Sequence, residues 1–598
     1  MFNMKCLQLS FRLFWLLILA GILFGSCKKS EDDTQKPPEA PVNPEIPSFS
    51  NLHITTDKAA YFPGDEILFS LGTSILPSSA KVRYKHLNTL IEDVSLPGLN
   101  WTWKPPSDDF KGYLVEVYDN QQGSETIYAS IGIDISSDWT KFPRYGFLSK
   151  FGQISETEIN EVIENLNRHH INGIQFYDWM NKHHQPLPME GSMPAATWKD
   201  IINRDIYFST VQNYIAAAHS RNIKAMFYNL VYGAWENADE DGVPDEWFVF
   251  KDNTHTNKDF HPLSSPFLSN IYLLDPSNIG WQQYLILETE KVYQFLDFDG
   301  FHMDQLGDRG NRYTWNGTFL NLAITFKPFI NAVKADNPQK AIVMNSVSQY
   351  GQQGIAVASS DFLYTEVWDP FKSFNDLSNL IKQNNTYSNN TKNTVLAAYI
   401  NYDLANNPGY FNTASVLMAN AVIFAFGGAH LELGEHMLGK EYFPNDNLAM
   451  KDELKSALIS YYDFLVAYQN LLRDGGIFNT VNLSCTDGKI KLGEWPSNQG
   501  SVAVTGKKVE NKQVIHLINF RDSKTTNFRD SNGIQPAPGL VKDASLVLTT
   551  DQTVKKVWMA SPDVAGGYSL ELNFAQSGQY VSFKLPELKY WTMLVVEY

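Results

Sequence analysis

The chain has 598 residues, 43% of them hydrophobic and 13% aromatic, enough for roughly two to four domains that each bury a core. Its 65 acidic residues outnumber 48 basic ones, leaving a formal charge of −17. That balance argues against a nucleic-acid partner, because phosphate neutralisation needs clustered Lys and Arg. An uncharged substrate fits better. The 14 Trp and 29 Tyr include rings of the kind that stack on sugar faces, although core packing claims most of them.

At the N-terminus Lys5 and Arg12 precede an apolar run from Leu13 to Phe24, too short to span a bilayer but suited to a signal-peptide core. Small residues, Gly25 and Ser26, separate it from Cys27. This resembles a bacterial lipobox, with Phe24 bulkier than the usual residue there. Residues 1–26 are therefore predicted to be a signal peptide and Cys27 a lipidation site. The following Lys28-Lys29-Ser30-Glu31-Asp32-Asp33 resembles the surface-export signal of Bacteroidetes lipoproteins. The expected location is the outer membrane, facing outward on a lipid anchor alone, beside other surface glycan-uptake proteins. Cys6, Cys27 and Cys485 are the three cysteines. With the first removed and the second lipidated, Cys485 has no partner, so neither an internal disulfide nor a Cys-based metal site is expected.

Residues 27–47 carry Pro37, Pro38, Pro41, Pro44 and Pro47, the composition of a stiff, disordered spacer. From 48 to 138 short alternating runs, such as Glu66 to Leu71 and Tyr113 to Tyr118, are divided by turn clusters such as Pro63-Gly64-Asp65. They predict an immunoglobulin-like β-sandwich. From 139 to 480 the pattern becomes strand, loop, helix. Strands are predicted at Tyr145 to Leu148, Gly173 to Phe176, Ala225 to Tyr228, Gly300 to Met303, Ile342 to Met344, Phe362 to Tyr364, Leu396 to Tyr399 and Ala429 to Leu433. Helices are predicted at Glu156 to His169, capped at Ser155, at Tyr207 to Arg221 and at Thr413 to Phe426. This alternation predicts a (β/α)8 barrel. Alternation returns from 481 to 598, as in Gln513 to Asn519, and predicts a C-terminal antiparallel β-sandwich. The fold class expected is multidomain α/β, a central barrel between two sandwiches.

In a parallel barrel the C-terminal strand ends converge on one face, where such folds place their chemistry. The polar residues there are Asp178, Asn229, Asp304, Asn345, Glu366, Asn401 and Glu432 or Glu435. Helix capping explains one or two of them. Asp304 and Glu366, at the fourth and sixth strand ends among Trp and Tyr, suit glycoside hydrolysis, in which one carboxylate attacks the anomeric carbon and another protonates the leaving oxygen. Asp304, short and rigidly held, is read as nucleophile and Glu366 as acid/base. The alternative has Glu366 bind hydroxyls and Asp369 act as the acid. Tyr177, Trp179 and His183 cluster with Asp178 as substrate-binding candidates; Trp368 and Tyr399 are candidate stacking platforms. Asn237 to Gly242 matches the first half of a calcium loop, but Phe248 stands at the acidic twelfth position, so an Asx-turn is expected instead. Neither a metal nor a cofactor is expected.

Four segments carry a resemblance: Ser137-Asp138-Trp139-Thr140-Lys141-Phe142-Pro143-Arg144-Tyr145-Gly146-Phe147; Ile174-Gln175-Phe176-Tyr177-Asp178-Trp179 with His183-His184; Gly300-Phe301-His302-Met303-Asp304; and Tyr364-Thr365-Glu366-Val367-Trp368. They resemble glycoside hydrolase family 66, the endo-dextranases and cycloisomaltooligosaccharide glucanotransferases, over nearly all of 48–598. The resemblance implies cleavage of α-1,6-glucan with retention, Asp304 as nucleophile, Glu366 as acid/base and Asp178 as a third acid at the substrate site. It also implies that cyclising members carry a carbohydrate-binding module inserted in the barrel region. The stretch from Tyr399 to His430 is too short for one, so hydrolysis is expected over cyclisation. A silent glycan-binding lipoprotein would have the aromatics without the paired acids.

Overall fold

The computed structural model describes residues 36–72, 76–121, 123–496 and 498–598. The predicted signal peptide, Cys27 and the acidic run after it lie outside the described residues. Among the described residues no helix is long and apolar enough to cross a membrane.

The first sheets follow from strict alternation. In Ile67–Leu71 the odd-numbered positions are buried and the even-numbered ones exposed, so each strand has one apolar face. Ile54–Thr56, Ile67–Leu71 and Asn100–Trp103 form a three-stranded antiparallel sheet. A five-stranded sheet runs in the order Ser48–Phe49, Ser124–Ile135, Lys111–Gln121, Lys81–His86, Thr89–Ser95, antiparallel except at its first pair. Both sheets contribute to one core, with Phe69 stacked on Trp101 at 5.0 Å between ring centres.

The central region holds eight parallel strands: β1 Tyr145–Leu148, β2 Gly173–Phe176, β3 Lys224–Leu230, β4 Gly300–Asp304, β5 Ala341–Met344, β6 Leu363–Glu366, β7 Thr394–Ala397 and β8 Ala429–His430. β1 and β2 coincide with prediction. β7 begins and ends earlier, and β8 stops at His430. Continuous ladders join β1 to β5 in one five-stranded sheet and β6 to β8 in a three-stranded one. Between the sheets run single parallel bridges, Asn345 to Tyr364 on one side and Phe147 to Gly434 on the other.

Parity decides what each strand presents. Tyr145, Val343, Tyr364, Val395, Ala397 and Leu431 meet in one apolar cluster. Their neighbours Phe176, Phe227, Phe301, Ile342 and Leu396 join a second core on the helix side, each burial contributing about 1.5–3 kcal/mol. Helix α1, Glu156–Arg168, starts with the predicted cap: Ser155 and Glu158 form a reciprocal capping box. Helix α2, Thr413–Ala425, is buried from Ala414 to Ala425, as expected of a helix that is apolar all round.

The C-terminal region has a seven-stranded and a four-stranded sheet around their own core. Two features depart from expectation. The end of the Pro-rich spacer is not free: Asn43 donates to the Lys584 carbonyl at 2.8 Å and accepts from the Asn573 amide at 3.1 Å. The connection between Lys512–Asn519 and Val541–Thr549 reaches back onto the central strands. There the Asn401 amide donates to the Arg529 carbonyl at 2.7 Å and the Leu404 amide to the Ser531 carbonyl at 3.1 Å.

Candidate active site

A cavity of about 390 Å³ opens where β2 to β7 end, lined by Asp178, His183, Asp304, Asn345, Glu366 and Tyr399 among others. Strand parity aims them there. Asp304 follows inward-facing His302 by two positions, and Glu366 follows Tyr364 in the same way.

Asn345 links the two acids. Its side-chain amide donates to Asp304 Oδ1 at 2.8 Å and to Glu366 Oε2 at 3.1 Å. Its own Oδ1 accepts the Glu366 backbone N–H at 3.1 Å, which fixes the amide with its NH2 towards the carboxylates. The two oxygens that share this NH2 group therefore lie under about 6 Å apart. The remaining oxygens are also held. Tyr228 donates to Asp304 Oδ2 at 2.6 Å and Tyr399 to Glu366 Oε1 at 2.7 Å.

Burial pushes the Asp304 carboxyl up, opposed by hydrogen bonds from Tyr228, Asn345 and the Gln305 amide. Burial also raises Glu366, and the charge of Asp304 raises it further, against hydrogen bonds from Tyr399, Trp368 and Asn345. The repulsion between the two acids favours one shared proton in the pair. Asp178 is pushed up to about 7 by burial and then by the Asp200 charge, with Arg204 opposing. Its backbone is left-handed, φ +48, a conformation Asp tolerates better than most residues. His302, stacked on Tyr145 and 3.2 Å from its hydroxyl, is lowered to about 3 by burial and stays neutral.

Asp178, Tyr177, His183, Asp304, Asn345, Glu366 and Tyr399 thus converge on the cavity. Several other candidates do not. Trp179 is wholly buried between Trp198, Phe227 and Phe298. Asn229 has the outward parity, and its amide holds the His183 carbonyl at 2.8 Å. Asn401 holds the Asp530 carbonyl at 2.9 Å. Glu432 is buried under the strands, accepting from Asn420 at 2.7 Å and Tyr462 at 3.0 Å. Glu435 is committed to the Ser149 amide and hydroxyl. Asp369 is exposed and paired with Lys372 at 3.2 Å. Trp368 lies behind the cavity wall against Tyr399, ring centres 5.4 Å apart. In the loop that imitates half a calcium site, Asp241 accepts from Lys182 and from His184.

Tyr228, His302 and Tyr364 were not among the expected site residues, and neither was the wall formed by Glu441, Tyr442 and Phe443. For Tyr228 the signal was present: it precedes Asn229, and only one of two consecutive strand residues faces inward.

The family model of glycosyl hydrolase family 66 matches residues 56–595, and the chain belongs to that family. A cycloisomaltooligosaccharide glucanotransferase of Niallia circulans is 30% identical, the match covering 91% of this chain and 71% of that protein. That alignment spans 711 residues, more than the 598 of this chain, so the relative carries stretches that this chain lacks. A dextranase of Streptococcus salivarius is 24% identical over 81% of this chain and 67% of its own length. Among solved structures, a Paenibacillus sp. cycloisomaltooligosaccharide glucanotransferase complexed with cycloisomaltoheptaose superposes with a TM-score of 0.83 at 27% identity, covering 92% of this chain and all of that one.

Proposed function

We propose that this glycoside hydrolase family member is an endo-acting dextranase that cleaves α-1,6-glucosidic bonds with retention. The observation that carries the reading is the Asn345 amide shared between Asp304 and Glu366, a close pairing that supports a double displacement. Asp304 attacks the anomeric carbon while Glu366 gives its proton to the departing glycosidic oxygen. A covalent glucosyl ester on Asp304 results. Glu366, now ionised, takes a proton from water, whose oxygen displaces Asp304 and restores the starting α configuration. Asp178 grips sugar hydroxyls more strongly as the ring flattens, which is binding spent on the transition state.

The two single bridges and the shared inward-facing cluster support reading the eight strands as a (β/α)8 barrel, with a sandwich on either side. Hydrolysis is preferred to cyclisation because the Tyr399–His430 stretch is too short for the inserted module that the resemblance implies for cyclising members. The proposed setting is the cell surface, reached through the Cys27 lipid, where long glucan must be cut before import. Incubation with dextran tests the activity: linear α-anomeric isomaltooligosaccharides are expected at early times, resolved by size and by NMR. Cyclic products would favour the glucanotransferase reading, and β-anomers would sink the double displacement.

A further inference from the structure

Arg529 belongs to the C-terminal connection, far from the acids in sequence, yet it lies behind Glu366. Its Nη2 donates to the carbonyl of Val367, the residue after Glu366. Its guanidinium carbon sits 4.6 Å from the centre of the Trp368 ring, 5.8 Å from Tyr399 and 5.5 Å from Tyr402. Of those rings, Tyr399 donates to Glu366 Oε1 at 2.7 Å, and Trp368 packs against Tyr399. Among the described residues no carboxylate forms an ion pair with Arg529, and its Nη1 is buried without a partner. The loop that carries it is pinned: Asp530 accepts the Ser415 hydroxyl at 2.6 Å, and Asn401 takes both the Arg529 and the Asp530 carbonyls.

We propose that Arg529 is a positioning residue for Glu366, supplied by the C-terminal region to hold the wall behind the proton donor and to lend it a positive field. This rests on the reading of Glu366 as acid/base. Groups facing Glu366 are Asp304 from β4, Tyr399 beyond β7, and the Tyr177 and Tyr364 phenols. Groups facing Arg529 are Tyr399, Tyr402, Glu366 and Asp369, with Tyr402 in turn bound to Glu441 and covered by Lys440. Asp304 is thus the anion that raises Glu366, and Arg529 is a cation that faces it. A cation behind a phenol also makes that phenol a stronger donor to a carboxylate.

The test is the pH profile of kcat/KM on dextran for Arg529→Met, Arg529→Gln and Arg529→Lys. Loss of the cation raises the pKa of the proton donor, so the alkaline limb should move up by about half a pH unit or more in Met and Gln, with kcat down about tenfold. Lys keeps the charge and should leave the limb within about 0.2 units of wild type. Two neutral variants are used so that a folding failure in one leaves the other to decide. A folded neutral variant that loses thermal stability while its limb stays fixed would overturn the proposal, leaving Arg529 a packing residue. If instead Glu366→Gln keeps wild-type turnover, the acid/base reading itself fails, and that result is read without reference to Arg529.

Discussion

Asp463 and Asp178 are both buried carboxylates, 2% and 6% exposed, and they are treated in opposite ways. Asp463 sits where the N-terminal strands meet α1. It accepts Arg168 in a forked pair at 3.0 and 2.9 Å, His170 at 2.7 Å and the Gly132 amide at 2.9 Å. Those partners outweigh its burial and pull it down to about 2. Asp178 has no such clamp and is pushed up to about 7. Asp304 and Glu366 resemble Asp178, since their donors are neutral phenols and amides. The difference separates a carboxylate that closes a junction in a direct ion pair from one that no cation bonds directly, so that a substrate can complete its bonds.

The largest effect expected from this contrast is catalytic. Asp304→Asn should lower kcat on dextran by at least about a thousandfold while glucan binding persists. Glu366→Gln should fall comparably but recover with an activated leaving group that needs no proton; recovery in both variants, or in neither, would erase their division of labour. Next is stability at the junction. Asp463→Asn leaves Arg168 without its partner and should cost roughly 3–5 kcal/mol in denaturant unfolding, with the turnover of the folded fraction intact.

Asp178→Asn should move stability the other way. Its folded pKa lies above the unfolded value, so the wild type is favoured below about pH 4 and loses that advantage as pH rises through about 7. The variant should therefore be more stable at pH 8, by on the order of 1–3 kcal/mol, and no different at pH 4. Thermal melts across that range decide the matter, and a variant less stable at pH 8 would place Asp178 with Asp463. The smallest effect belongs to Asp369→Ala, expected within about 0.5 kcal/mol of wild type with unchanged turnover. A large loss of rate there would revive Asp369 as the acid.

The eight central strands were legible because each is a short buried apolar run between polar loops, and the Ser155 cap because a capping box is local. The acids were legible as charges ending such runs. What failed was treating every polar strand-end residue as equivalent. Asn229 and Glu432 sit one position out of phase with inward-facing Tyr228 and Leu431, and period-2 alternation turns them away from the cavity. Asn401 leaves the strand in a left-handed turn, φ +58, and is spent on the C-terminal connection. Trp179 follows a left-handed Asp178, a backbone turn that no local pattern announces. Arg529 was beyond reach for another reason: its neighbours are brought together only by tertiary packing.

Asp304 ends a strand of the five-stranded sheet and Glu366 a strand of the three-stranded one, and on this side the two sheets are joined by the single bridge at Asn345. The gap between the acids is thus set like the jaws of a caliper, with one side chain as the stop. Removing the Asn345 side chain would take from each acid the one donor they share, and from the Glu366 backbone N–H its acceptor.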